Sequence, residues 1–371
     1  MSPLRFASGA EGWLVTDYRI ARSVLRDSRF STDRKLTEAP IRELPPILRE
    51  YGTPPGMFNC LDGDSHARYR RLLAGYFSAG RIAEFAPRAV DIVDEQITTM
   101  AEVLDSAGEA DLLAVFAMPV SLRLICELLG VPDRLSGDIA RLASVLFDLS
   151  ASGDSMIATI LELREILLDA IRHTRTSPSS GLIADLARDP EIDDEELFQI
   201  SQVLLLAGFE TTANMLALST FALLSAPDQL RRFRAGEVSA AAAVDELLRY
   251  LSVAHMGPVR AASESVRLGE VTVAAGQSVM ISVPVVNRDP ALLDDADRLL
   301  LDRPPVNHIS FGVGAHKCIG QYLARTELEI GLTRLFARFP TLTLAVPPEQ
   351  VPLRTDMLVY GVHELLVCVE G

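Results

Sequence analysis

Cysteine is scarce in this chain: four residues in 371, at positions 60, 126, 318 and 368, with no pairing pattern among them. That excludes a disulfide scaffold and fits a reducing compartment. It also excludes an ordinary zinc centre, which needs about four ligands in close groups. Positive charge is short as well: 35 Lys and Arg against 50 Asp and Glu leave a net charge of −15. Nucleic acid is therefore a poor partner, and no basic face is offered to an anionic membrane. The N-terminus, MSPLRFASGAEGW, lacks the apolar core of a secretory signal, so a cytoplasmic location is expected. Internal repeats and low-complexity linkers are missing too, and residues 1–371 read as a single domain with no cut point.

One apolar run is long enough to span a bilayer, Val203 to Leu224, but Glu210, Thr211, Thr212 and Asn214 fall at its centre. A carboxylate in mid-bilayer costs about 3 kcal/mol even on insertion scales. The run is better read as the buried spine helix of a large protein, over 194–225. Apolar residues make up 49% of the chain, enough for a sizeable core. The pattern predicts a strand and a helix within 12–27 and a long proline-rich loop over 33–62. Helices follow at 64–77, 79–106, 112–129, 132–149 and 153–174, with a turn at 174–181. After the spine come helices at 227–235 and 239–251. From about residue 258 short alternating runs predict a small β region, then a helix at 318–337 and a strand-rich tail.

The stretch Phe311–Gly320, FGVGAHKCIG, sets Cys318 among glycines 312, 314 and 320 ahead of a helix. Glycine allows positive φ and close approach, and a thiolate gains from the dipole at a helix N-terminus. A phosphate loop is excluded because His316 stands where glycine must precede the lysine, and a dinucleotide motif fails at Lys317. Such a loop suits a sulfur anion held against a flat iron-bearing ring. In the spine, AGFETT at 207–212 puts polar groups mid-helix, where Gly208 costs about 1 kcal/mol against alanine. A glycine there admits a flat ligand to the backbone, and the Glu210–Thr211 pair suits proton relay. Glu246 and Arg249 are spaced to pair on one helix face, as are His66 and Arg70.

These motifs together resemble the cytochrome P450 family, in family order from about residue 12 to the end. The resemblance implies a mainly α fold with a minor β region, haem b lying between the spine helix and the cysteine-bearing helix. It implies that Cys318 ligates the iron, with Phe311, Gly312, Gly320, Ala207 and Gly208 against the cofactor. His66, Arg70, Arg260 and His316 are implied as partners of the haem propionates, and Arg suits a carboxylate by its planar fork. Glu210 and Thr211 would deliver protons to dioxygen. Glu246 and Arg249 would be a buried pair joined by Arg298, although Ala296 and Leu299 depart from the family pattern there. His308 and His255 are left as structural.

The implied reaction is monooxygenation with O2, electrons coming from NAD(P)H through a ferredoxin reductase and a ferredoxin. Arg68, Arg71, Arg81 and Lys317 form a basic set on which an acidic ferredoxin would dock. The style is that of bacterial, actinomycete members acting in secondary metabolism. Such members carry more residues before the first strand, so an early helix is expected to be missing. The substrate pocket is expected among 33–62, 149–155, the spine, 251–260 and 357–362. A bulky, mostly apolar substrate such as a macrolide or other polyketide is expected, free or tethered to a carrier protein. A peroxide-driven haem enzyme would lack the acid–alcohol pair, a silent recruitment module would have lost Cys318 or that pair, and a Cys-nucleophile hydrolase would contain no haem.

Overall fold

Strand β1 (Ser2–Arg5) turns back on β2 (Glu11–Val15), and Asp17 then caps α1 (Tyr18–Arg26) by accepting from the Ile20 N–H. Ala21, Val24 and Leu25 recur at helical spacing and supply its buried face. The computed structural model describes residues 1–43, 45–176 and 180–369. β3 (Phe30–Ser31) leads into the proline-rich stretch, which holds a short helix, α2 (Pro46–Tyr51), and a 3-10 turn at Phe58–Cys60. It is thus less irregular than its prolines suggest, because Pro is well placed in a first helical turn.

Next come α3 (Gly63–Ala74) and α4 (Ala79–Ala107), the latter capped by Ser78 and ended by Gly108 in the left-handed region. After β4 (Glu109–Asp111) and a π turn at Leu113–Ala117 follow α5 (Met118–Leu129), α6 (Ser136–Phe147), α7 (Gly153–Thr176) and α8 (Leu182–Ala187). The middle of the expected turn at 174–181, residues 177–179, lies outside the described residues.

The spine is α9 (Asp194–Leu224), 31 residues long, with Asp193 accepting from the Glu196 N–H and three acids in its first turn. Its 18-residue apolar window, long enough to cross a membrane, is 72% buried within the fold. The helix has no apolar stripe because it is covered on all sides. Its N-terminal half (Phe198, Leu205, Phe209) packs in a core with α5 and α7, its C-terminal half (Leu216, Leu223) in another with α4, α11 and α13.

The remaining helices are α10 (Pro227–Arg234), α11 (Ala240–Leu251), α12 (Val283–Val286) and α13 (Gln321–Arg338). Strands β5 (Val259–Ala262), β6 (Val266–Leu268), β7 (Val271–Val273) and β8 (Ser278–Ile281) form the expected small β region. One sheet runs β1-β2-β8-β5-β3, with β2 and β8 parallel and Trp13 opposite Val279. Among its described residues the tail yields β9 (Leu342–Leu344) and β10 (Leu366–Val369), which join β4 in a second sheet. Between them the chain is a hairpin-like loop.

Candidate active site

Cys318 lies three residues before α13, in a loop whose shape its glycines impose. Gly312 and Gly314 take φ of +66° and +81°, and a Cβ on Gly314 would sit 2.3 Å from the Leu25 carbonyl oxygen at the end of α1. The Cys318 N–H donates to the Phe311 carbonyl at 2.8 Å and closes the loop. The Gly320 N–H lies near enough to the sulfur to favour its anion. The cysteine is exposed, but to an internal cavity rather than to bulk solvent. Burial therefore still pushes its thiol up, against the Gly320 N–H and the charges of Arg70 and Lys317. A sulfur so placed becomes an anion readily only when a cation takes it.

The cavity measures about 540 Å³, within the ~300–1,000 Å³ of ligand and cofactor sites. Its other wall is α9, which presents Ala207, Gly208, Thr211 and Thr212. The Thr211 hydroxyl donates to the Ala207 carbonyl at 2.6 Å and that of Thr212 to Gly208 at 3.0 Å, yet the helix continues unbroken. Gly208 has a further reason to be small: a Cβ there would lie 3.0 Å from Ile125 Cδ1 on α5. Its bareness serves helix packing as well as the cavity.

At one edge of the cavity stand His66, Arg70, Arg260 and His316. The two imidazoles stack at 3.9 Å. Asp62 faces His316 at 3.4 Å. Burial raises the Asp62 carboxyl, but bonds from His316, Ser31 and Thr32 outweigh it and hold it well below the usual carboxylate range. Burial, then the charges of His316 and Arg70, pull His66 down to about 4. Arg70 has no hydrogen-bond or ion-pair partner among the described residues, and Arg260 donates only to its neighbour's carbonyl at 2.8 Å. Arg70, partly buried and without an acceptor, and the buried Arg260, which bonds only a backbone carbonyl, together call for an anion.

These groups fit haem. One sulfur faces an apolar space walled by Ile125, Val203, Leu204 and Met215, and Arg70 and Arg260 at its edge could bind the carboxylates of a flat ligand. Among the described residues no group of three or more His, Cys, Asp or Glu could hold a metal, so an iron here would have to bring its other ligands with it.

Comparison with known proteins decides the family. The family model described as Cytochrome P450 matches residues 240–369. Cytochrome P450-SU2 of Streptomyces griseolus is 40% identical over 358 residues, 96% of this chain and 87% of the relative. The chain belongs to the cytochrome P450 family. Among solved P450 structures, CYP105P1 in complex with filipin I superposes with a TM-score of 0.90 at 35% identity, covering 100% of this chain and 92% of that one. The mycinamicin VIII C21 methyl hydroxylase MycCI from Micromonospora griseorubida, bound to mycinamicin VIII, gives 0.91 at 32%, covering 99% and 93%. The chain is thus an actinomycete-type P450 oxidoreductase with the mainly α P450 fold, and the family uses haem b and O2.

In this P450 the motif acid stands apart from the other cavity residues. Glu210 is 1% exposed and points away from the cavity. Its Oε1 meets Arg354 Nη2 at 2.6 Å, a charge contact rather than an aligned hydrogen bond, since no donor among the described residues bonds either carboxylate oxygen.

Glu246 and Arg249 form the expected buried pair, 2.7 Å apart. All five Arg249 donors are used, on both Glu246 oxygens and the carbonyls of Asn287, Ala296 and Arg298. The third side chain is not Arg298, however. That side chain is 66% exposed beside Asp295, whereas Arg303, 12% exposed, reaches Glu246 at 3.1 Å. The turn at Asp295, with φ of +53°, throws Arg298 outward, and the buried Leu301 carries the chain back in before Arg303.

Two further expectations change. Of the proposed pocket segments, 33–62 gives the cavity Phe58 and Asn59, while 149–155 and 357–362 give it nothing. They meet each other instead: the Leu149 N–H donates to Asp356 at 3.0 Å, Leu358 to Phe147 at 2.8 Å, and Arg42 reaches the carbonyls of Asp148 and Ala151. In the basic set, Arg68 pairs with Glu196 and Arg81 with Glu84, which leaves Arg71 and Lys317 exposed without ion-pair partners among the described residues. His308 is structural, bonded to Asp245 and Ser310, and His255 stacks on Tyr360.

Proposed function

We propose that this P450 is a monooxygenase that uses dioxygen and ferredoxin-delivered electrons to hydroxylate or epoxidise a bulky, mostly apolar small molecule. A polyketide, macrolide or other secondary metabolite is the substrate class, with the chain working in the cytoplasm as one domain. The observation that carries the reading is that Cys318 and Thr211 face one another across a single, largely apolar cavity. Bound haem supplies the oxygen chemistry, its thiolate ligand pushing electron density toward O–O cleavage. Cys318 would hold the iron, and the Gly320 N–H would share the charge on the sulfur. Arg70, Arg260, His66 and His316 would bind the propionates. Thr211 offers its hydroxyl to the cavity and rests it on the Ala207 carbonyl, ready to accept and hand on a proton. Glu210 on the same turn is the proton source behind it. The walls at Ile125, Val203, Leu204 and Met215 keep water out and suit an apolar substrate. Filipin I and mycinamicin VIII in the complexes of related P450s support the substrate class. Exposed Lys317 in the cysteine loop and exposed Arg71, next in sequence to the cavity-lining Arg70, suit an acidic ferredoxin.

The test is the absorption spectrum of purified, dithionite-reduced protein under carbon monoxide, beside Cys318→Ser. A strongly red-shifted Soret band in the wild type, lost in the variant, is expected. An unshifted band in fully reconstituted wild type overturns the assignment of Cys318. The same sample screens macrolides for a spin-state shift.

A further inference from the structure

The motif acid is held by a residue 144 positions away in sequence, on the loop between β9 and β10. Arg354 is 5% exposed and Glu210 1% exposed, so their 2.6 Å contact lies out of water. A third group closes the arrangement. Asn214, one turn along α9, donates its amide to the Glu210 carbonyl at 2.8 Å. That bond turns Asn214 Oδ1 toward Arg354, whose Nη1 donates to it at 3.0 Å. The loop is pressed onto the helix here: the Arg354 N–H donates to the Gly361 carbonyl at 2.8 Å, and a Cβ on Gly361 would lie 1.8 Å from Asn214 Oδ1. Only a glycine lets the loop come this close. Among the described residues Glu210 therefore has one cationic partner, on a loop that also pairs with the α6–α7 turn through Leu149 and Leu358.

We propose that Arg354 is a positioning residue for Glu210. It holds the carboxylate against the 353–362 loop and away from the cavity, and the acid serves the cavity only as this contact opens. The pairing stands on geometry alone, while its catalytic meaning rests on the monooxygenase reading above. A buried charge deprived of its single partner must move, neutralise or disorder its surroundings, so Arg354 governs where the Glu210 carboxylate resides.

The experiment uses haem-loaded protein and four variants: Arg354→Met, Arg354→Lys, Glu210→Gln and the Arg354→Met/Glu210→Gln double variant. Each is first shown to give the wild-type carbon monoxide spectrum. The first readout is hydrogen exchange at the Arg354 and Leu358 amides in the resting protein. Arg354→Met and Glu210→Gln should each speed exchange several-fold, and the double variant no further; unchanged exchange in both single variants overturns the pairing. The second readout is peroxide released per NAD(P)H consumed, with a turned-over substrate. Arg354→Met should raise it several-fold, Arg354→Lys should recover most of the loss, and the double variant should match Glu210→Gln. Strictly additive losses, or Arg354→Lys as impaired as Arg354→Met, overturn the positioning role. If Glu210→Gln alone changes nothing in turnover, the proton role of Glu210 falls, while the exchange data still judge the pairing.

Discussion

Replacing Arg303 by Met should destabilise this P450 far more than replacing Arg298 by Met, although the family resemblance points to Arg298 as the partner of the buried pair. Arg303 gives Glu246 Oε1 a charge-assisted bond at 3.1 Å and donates to the carbonyls of Asp294 and Arg298, each at 3.2 Å. Glu246 would keep Arg249 and the Leu300 N–H, so no bare charge is left in the core. The loss is then that of one charged hydrogen bond plus weaker bonds to a partly exposed loop, about 2–3 kcal/mol. Removing Glu246 instead strands the fully buried Arg249, a loss of about 3–5 kcal/mol. Arg298→Met removes a 3.7 Å contact between two exposed side chains and should cost under about 0.5 kcal/mol. Urea unfolding of the haem-loaded protein, with midpoints compared at unchanged slope, reads all three. An Arg298→Met loss equal to that of Arg303→Met would refute the reasoning.

Glu327 is fully buried against Ser121, and burial pushes its carboxyl up to about 8. Folding then takes up a proton between about pH 4.5 and 8, so this group lowers stability by about 1.4 kcal/mol per unit as pH rises through that window. Glu327→Gln should flatten the fall in urea midpoint from pH 6 to pH 8; an identical fall in both proteins counts against it. Gly208→Ala gains about 1 kcal/mol of helix propensity but pushes Ile125 Cδ1 toward the cavity. Stability should hardly change while apolar ligands bind more weakly by spectral titration, and unchanged affinity would mean Ile125 yields elsewhere. Gly314→Ala must both leave positive φ and clear the Leu25 carbonyl, so the cysteine loop should lift from α1 and haem content fall. Arg71→Glu should slow reduction by an acidic ferredoxin at low salt, whereas salt-insensitive, unchanged rates would remove this face from docking.

Local chemistry made much of this molecule readable in advance. The cysteine loop, the spine and the Glu246–Arg249 pair are short-range patterns, and they stand where their spacing put them. The glycines at 312 and 314 announced positive φ, and the apolar run with a polar centre announced a helix buried on all sides. What stayed hidden was non-local. Nothing near Arg354 in VPLRTDMLVYGV points to Glu210, since the contact depends on Gly361 bringing the loop onto the helix. The only hint was a lone arginine in an apolar tail. Arg303 was hidden by a single turn: two arginines flank an apolar run, and which one faces inward depends on the left-handed Asp295. Asp62, which orients His316, looked like an ordinary residue at a helix start, and its role appears only when the 310–320 loop folds over it.

The parallel pairing of β2 with β8 has a consequence for how the chain is made. Trp13 finds Val279 only after most of the polypeptide has left the ribosome. The apolar α9 emerges about a hundred residues before α13, which covers its C-terminal half. At ordinary translation speeds that leaves the side of α9 that α13 covers open for roughly 5–20 s, the sort of surface on which nascent chains aggregate. The cavity draws its walls from Leu25 to Leu328, so it has no existence until residue 328 has been made. A flat cofactor can therefore be seated only after the cysteine loop and α13 have met α9.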